Sequence, residues 1–175
     1  RSSDKKEDEA IKQALAESEK ERAENVMIVD LVRNDLTRCA LPGTVEVDEL
    51  FGVYSFTQVH QLISTILCHV AAEQSFSNIL KATFPMGSMT GAPKIRAMQL
   101  IEQYERSKRG VYSGSVGYIQ PNGDFDFNVI IRSMLYNANS KYLSFQVGGA
   151  ITAKSIPEEE YEECLIKAKP LFEAL

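Results

Sequence analysis

The sequence predicts an α+β fold, an antiparallel sheet backed by helices, on three observations. Apolar residues recur at helical spacing through the first thirty or so positions and again at the C-terminus. From Val111 onward a period-two alternation takes over, punctuated by turn residues such as Pro121-Asn122-Gly123. Between the two regimes lies a Gly-rich loop that feeds a helix, Phe84 to Glu102, reading FPMGSMTGAPKIRAMQLIE.

The totals fit one soluble globular domain over residues 1–175: 44% hydrophobic, a quarter charged, net charge −5. An acidic chain of this kind is not a nucleic-acid binder by charge. Cys39, Cys68 and Cys164 are widely spaced and odd in number, which supports neither a disulfide framework nor a zinc ribbon and fits a reducing cytoplasm. No run of about eighteen apolar residues marks a membrane span. The first residue is Arg rather than Met, in a charged stretch already under way, so a fragment of a longer protein is expected.

A polar helix is expected from Lys5 to Lys20, running on into Arg22–Leu31, where Ala23, Val26, Met27 and Leu31 sit at helical spacing. Glu21 and Glu24 are three apart, so on that helix their carboxylates share one face, either solvated or free to meet a cation. Arg33, Asn34, Asp35 and Arg38 end the helix before the Pro42-Gly43 turn, with Asp30 and Asp35 expected to pair with those arginines. Thr44–Val47 reads as a short strand, Asp48–Gly52 as a turn or short helix, and Val53 as the start of a further strand. Beyond Val59, the helical spacing of Val59, Leu62, Ile63 and Ile66 competes with β-branched Thr57, Thr65 and Ile66, which leaves both states open. His60 and His69 read as satisfied core or edge groups. Ser75–Ala82 is a short amphipathic helix.

In the central loop, Gly87, Gly91 and Pro93 forbid a regular element, and a helix follows from Lys94 to about Glu105. The junction offers backbone N–H groups and a positive dipole end, with Lys94 and Arg96 adding charge. Both an anion-binding loop and a plain helix-capping turn satisfy this pattern. The spacing lacks the Ser/Thr of G-x-x-x-x-G-K-[ST] and so argues against a nucleotide P-loop.

The remainder predicts a meander: Val111–Gln120, a hairpin turn, Asp124–Tyr136, a turn at Asn137–Ser140, then Tyr142–Val147. Phe125, Phe127, Val129 and Ile131 share one face, and Asp126, Asn128 and Arg132 the other. Folding about the Asn-Gly turn sets residue 112 opposite 132 or 133, and the former choice places Tyr112 beside Arg132, either as an exposed cross-strand pair or as a carboxylate receptor built of a phenol and a forked guanidinium. Gly148-Gly149-Ala150 allows close approach of a ligand to backbone, or a bulge. Ser155 with Glu158 makes a capping box with Pro157 in the first turn, and a helix runs to the end. On it Glu160, Glu163 and Lys167 lie on one face, as a surface pair or as oxygen ligands that could meet Glu21 and Glu24 at one magnesium.

The phrases ENVMIVDLVRNDL, GSMTGAPKIRAM, YSGSVGYI, FNVIIRS and PEEEYEECLIKAK, in this order, resemble the C-terminal half of the chorismate-utilising enzymes, from about Glu17 to Leu175. TGAPK marks the amino-transferring members, and VHQLIST with DFNVIIRS is nearer to the aminodeoxychorismate (para-aminobenzoate) branch than to the anthranilate branch.

That resemblance implies the C-terminal portion of the chorismate-binding fold, chorismate as substrate, Mg2+ as cofactor and ammonia supplied by a glutamine amidotransferase subunit, with no nucleic acid and no membrane involved. The implied reaction is amination of chorismate to 4-amino-4-deoxychorismate for folate synthesis; anthranilate formation, or a fragment that only docks an amidotransferase, are the alternatives. It places Glu24 and Glu160, with Glu21 and Glu163 alongside, at the metal. Tyr112 and Arg132 fall on the grip for the enolpyruvyl carboxylate, Gly148 and Gly149 on backbone touching the carboxylates, and Lys167 near the ring carboxylate. Ser88 and Thr90 fall on the loop hydroxyls, and Gln61, Thr90 and Lys94 on catalytic positions.

Two departures stand out. Gln61 occupies the position of the family's histidine, with His60 one residue earlier and on the opposite face if the segment is extended. Ala150 replaces a third glycine. The Pro-Ile-Lys-Gly-Thr motif, whose lysine attacks the ring in the aminodeoxychorismate branch, is not among the 175 residues and is expected just ahead of Arg1.

Overall fold

Ser18 divides the first helical stretch in two. Helix α1 (Lys5–Glu17) is capped by Asp4, whose carboxylate accepts from the amides of Lys6 and Glu7 at 2.9 and 3.0 Å. Ser18 leaves the helical region and caps α2 (Glu19–Leu36) by accepting from Glu21 N at 3.3 Å, so a break replaces the expected run-on helix. The computed structural model describes residues 1–57, 59–153 and 155–175, which form two compact units, Arg1–Glu105 and Arg106–Leu175.

In the first unit, α2 is followed by an antiparallel hairpin of β1 (Glu46–Ser55) and β2 (His60–Leu67), then by α3 (Phe76–Thr83), a 3-10 turn at Gly87–Met89 and α4 (Lys94–Tyr104). The expected turn at Asp48–Gly52 is part of β1: register shifts between Val47 and Glu49 and between Glu49 and Gly52 absorb its turn chemistry as bulges, because β2 supplies a pairing partner. Within residues 60–67 the β-branched residues prevail over the helical spacing. The Ser64 hydroxyl donates to Asn25 Oδ1 at 2.6 Å and accepts from Phe51 N at 3.1 Å, tying α2 to the hairpin. Val29 and Cys39 form the buried apolar part of this unit. All three cysteines are free.

The second unit begins with a turn. Tyr112 N donates to Arg109 O at 3.1 Å and Gly114 N to Val111 O at 2.9 Å, so the strand expected from Val111 starts only at Ser115. Strands β3 (Ser115–Ile119) and β4 (Phe125–Val129) pair about Asn122-Gly123, where Gly123 has φ +94° and Asn122 Oδ1 accepts from Asp124 N at 3.1 Å. The second expected strand breaks after Val129, since Arg132 takes a left-handed φ of +50°. Its continuation is β5 (Leu135–Asn137), which pairs with β6 (Tyr142–Ser144). Among the described residues the expected meander is thus two separate two-stranded hairpins, β3–β4 and β5–β6.

Helix α5 (Pro157–Glu173) closes this unit, with Ala168 and Leu171 buried and Phe172 edge-on to Phe145 at 5.0 Å. Its N-cap is Ile156, without a side-chain cap. Ser155 instead accepts from Thr152 N at 2.9 Å, so the expected capping box does not form, while Pro157 stands in the first turn as expected.

Candidate functional site

In the second unit, six of the residues singled out from the sequence gather around one extended segment. Glu158, Glu159 and Glu160 fill the first turn of α5, where the helix dipole favours carboxylates. Glu160 is 9% exposed and accepts no hydrogen bond among the described residues. Gly149 runs past it: a Cβ on Gly149 would lie 3.1 Å from Glu160 Oε2 and 3.9 Å from Glu163 Oε1. A Cβ on Gly148 would lie 3.2 Å from the Tyr112 hydroxyl. Lys167 Nζ lies 2.5 Å from Glu163 Oε1 and donates to Gly148 O at 3.1 Å. The two glycines therefore bring a phenol, two carboxylates and an ammonium against main chain.

Arg132 is exposed and makes no hydrogen bond or ion pair among the described residues. The β3–β4 register, Val116 with Asn128, would place residue 112 opposite 132 if continued, the former of the two expected pairings. The ladder ends at Ser115 and Val129, however, and both residues lie beyond it in turn-like backbone.

In the first unit, Glu21 is exposed on α2 and Glu24 is half-buried one turn on, next to the Asn25–Ser64 tie. Gln61 projects to solvent from β2, while the His60 side chain on the other face is 3% exposed. His60 Nδ1 is 2.8 Å from Ser55 Oγ, and Nε2 is 3.1 Å from Asp8 Oδ1. Arg1, bonded to Asp8 at 2.9 Å, together with Ser2 N at 2.9 Å and His60, holds the Asp8 carboxyl well below the usual carboxylate range. The reading of His60 as a satisfied internal group holds at Nδ1 only: buried Nε2 faces Asp8 but makes no well-aligned hydrogen bond among the described residues.

The central loop differs from expectation in how its charge is used. Lys94 donates to Asp35 and, at 2.6 Å, to Pro85 O, so its ammonium is engaged within the unit. Asp30 pairs with Arg33 at 3.2 Å as expected, but Asp35 pairs with Lys94 instead of an arginine. Thr90 Oγ1 donates back to Met86 O and Gly87 O at 3.2 and 3.1 Å, and Ser88 is exposed. Asp35 is the residue sequence reasoning underrated. Its place one helical turn after Leu31, on the inward face of α2, was the available signal.

Among the described residues no group of three or more His, Cys, Asp or Glu side chains gathers to hold a metal. The donor chemistry on α5 nevertheless fits a hard cation: Glu160 is a buried carboxylate without a protein donor, and Glu163 adds a second oxygen ligand on the same face.

Comparison with known proteins matches residues 1–173 to the chorismate binding enzyme family. The chain is 48% identical over 169 residues to aminodeoxychorismate synthase of Streptomyces griseus, covering 97% of this chain and 23% of that protein. It is 41% identical over 169 residues to anthranilate synthase component 1 of Aquifex aeolicus, covering 97% of this chain and 34% of that protein. Its structure is similar to that of anthranilate synthase component I from Streptococcus pneumoniae, with a TM-score of 0.79 and 39% identity over 94% of this chain and 37% of that one. It thus spans less than half the length of each of these relatives. Taken with the carboxylates, tyrosine and lysine gathered around Gly148-Gly149, the match over nearly every residue shows that the chain belongs to the chorismate binding enzymes.

Proposed function

We propose that the intact protein carrying this chain aminates chorismate, exchanging the ring 4-hydroxyl for the nitrogen of ammonia with release of water to give 4-amino-4-deoxychorismate. The observation that carries this reading is the buried, undonated carboxylate of Glu160 beside Gly149 and the Lys167–Glu163 pair, a surface suited to a cation and a carboxylate ligand. The high identity to the S. griseus aminodeoxychorismate synthase supports this branch.

The paired carboxylates of Glu160 and Glu163, and those of Glu21 and Glu24, are each suited to Mg2+, which when bound neutralises and orients the ring carboxylate. Arg132 offers a forked donor pair, and Tyr112 a further hydrogen bond, to the enolpyruvyl carboxylate. Lys167 lies between Glu163 and Gly148 O, where its charge favours the ring carboxylate. Ser88 and Thr90 supply hydroxyls from the loop. Gln61 can donate a hydrogen bond to the departing hydroxyl but cannot transfer a proton at neutral pH. Ammonia is taken from a glutaminase subunit.

The test is incubation of the intact protein with chorismate, ammonium and Mg2+, with chromatographic identification of the product. Expected is 4-amino-4-deoxychorismate, lost on chelation of the metal. The structural likeness to anthranilate synthase favours a second reading, in which the product is fluorescent anthranilate. Chorismate left unconsumed would overturn both.

A further inference from the structure

The pair of Asp35 and Lys94 is placed where neither surface solvation nor the chemistry assigned above explains it. Their side chains are 5% and 10% exposed, and they stand 59 residues apart in sequence. Asp35 belongs to α2, the helix of Glu21 and Glu24; Lys94 opens α4. The same ammonium also donates to Pro85 O at 2.6 Å, so one charged group joins the two ends of the loop 85–94 and fastens them to α2. Between these anchors Gly87 is buried against the same helix: a Cβ there would come within 2.9 Å of Leu31 Cβ. Removing two charges from water costs about as much as their attraction returns, so such a pair is weak as a source of stability. What it does supply is one fixed placement of loop on helix.

We infer that Asp35 is a positioning residue. Through Lys94 it sets the loop hydroxyls of Ser88 and Thr90 relative to the carboxylates of Glu21 and Glu24 on its own helix. This rests on the reading that those groups handle chorismate and its cation, and it assigns Lys94 a clamp's part in place of direct action on substrate.

The test uses the intact protein. Asp35→Asn breaks the clamp, and Asp35→Asn with Lys94→Met removes both charges at similar volume. The double variant is expected to melt close to the wild type, yet to lose about tenfold or more in kcat/KM for chorismate, through KM as well as kcat. Amide exchange over residues 85–94 is expected to quicken in it. A double variant with wild-type kinetics and exchange would overturn the inference and leave the pair a stabilising one only. Where these variants fail to fold, Lys94→Arg decides. It keeps the ion pair, but a flat fork cannot serve Asp35 and Pro85 O as one ammonium does. About a fivefold loss of kcat/KM with unchanged melting supports the clamp, and wild-type values sink it. If the wild type does not consume chorismate, the functional reading fails separately, and exchange over 85–94 in Asp35→Asn still decides the clamp.

Discussion

Lys167 Nζ sits 2.5 Å from Glu163 Oε1, one turn back on the same helix, and donates a further hydrogen bond to Gly148 O at 3.1 Å. The side chains are 33% and 42% exposed, so as a stabilising pair this contact contributes at most about 1 kcal/mol. Its larger consequence is to hold an ammonium against the glycine segment. In the intact protein Lys167→Met is expected to change Tm little while lowering kcat/KM for chorismate about tenfold, as loss of a charge-assisted carboxylate contact implies. Steady-state kinetics beside a melting curve check it.

Gly149 has no left-handed φ, so alanine there brings no backbone penalty of that kind and acts through its Cβ alone. That atom would press at 3.1 Å on Glu160 Oε2. Gly149→Ala is expected to raise the Mg2+ concentration for half-maximal activity about tenfold, the scale of effects that misorient a metal ligand. A metal titration of the rate reads this directly, and an unchanged midpoint would remove Glu160 from the cation.

Where local chemistry and tertiary pairing agreed, the sequence was legible. Asn122-Gly123 specified a two-strand hairpin but left residue 112 facing 132 or 133; the ladder through Val116 and Asn128, if continued, selects 132. The residues around Gly149 were legible one by one. That Gly149 lies against Glu160 and Gly148 against Tyr112 was not, because no periodicity reports which loop a helix face meets. The misread stretches are those where a partner elsewhere decides. Asp48–Gly52 looks like a turn until Glu49 and Gly52 pair with β2, and Ser155 looks like a cap until Thr152 N claims its hydroxyl. Arg132 alternates correctly with Asp126 and Asn128, yet its φ of +50° ends the strand, a backbone choice that hydrophobic pattern does not encode.

Asp8 gives the fold an acid-sensitive fastening. Its carboxyl is held low, first by Arg1, then by Ser2 N and His60, while in the unfolded chain it titrates near about 3.9. The unfolded state therefore takes up this proton more readily than the folded one, and stability rises with pH in that window. The contribution is present above about pH 4 and is lost as pH falls below it. Urea midpoints between about pH 6 and pH 2 are expected to fall less steeply in Asp8→Asn than in the wild type. Parallel curves would show that the Arg1–Asp8–His60 contacts do not survive in solution.

The central loop packs tightly on α2 at Gly87, where an added Cβ would meet Leu31 Cβ at 2.9 Å and Cδ1 at 3.4 Å. Leu31 cannot retreat cheaply, since it stands on a helix whose neighbours Val29 and Asp35 are buried. Gly87→Ala is thus expected to destabilise the protein by about 1–3 kcal/mol, the usual cost of overpacking. Leu31→Ala alone should also destabilise, by leaving a gap beneath the loop. Because the two changes act on one contact, they should not add: the double variant is expected to be more stable than the sum of the single losses predicts, by at least about 0.5 kcal/mol. Denaturant unfolding of the four proteins completes the cycle. Additive losses would mean that the loop does not rest on Leu31, and with that contact gone the fastening of residues 85–94 to α2 would depend on Lys94 and Asp35 alone.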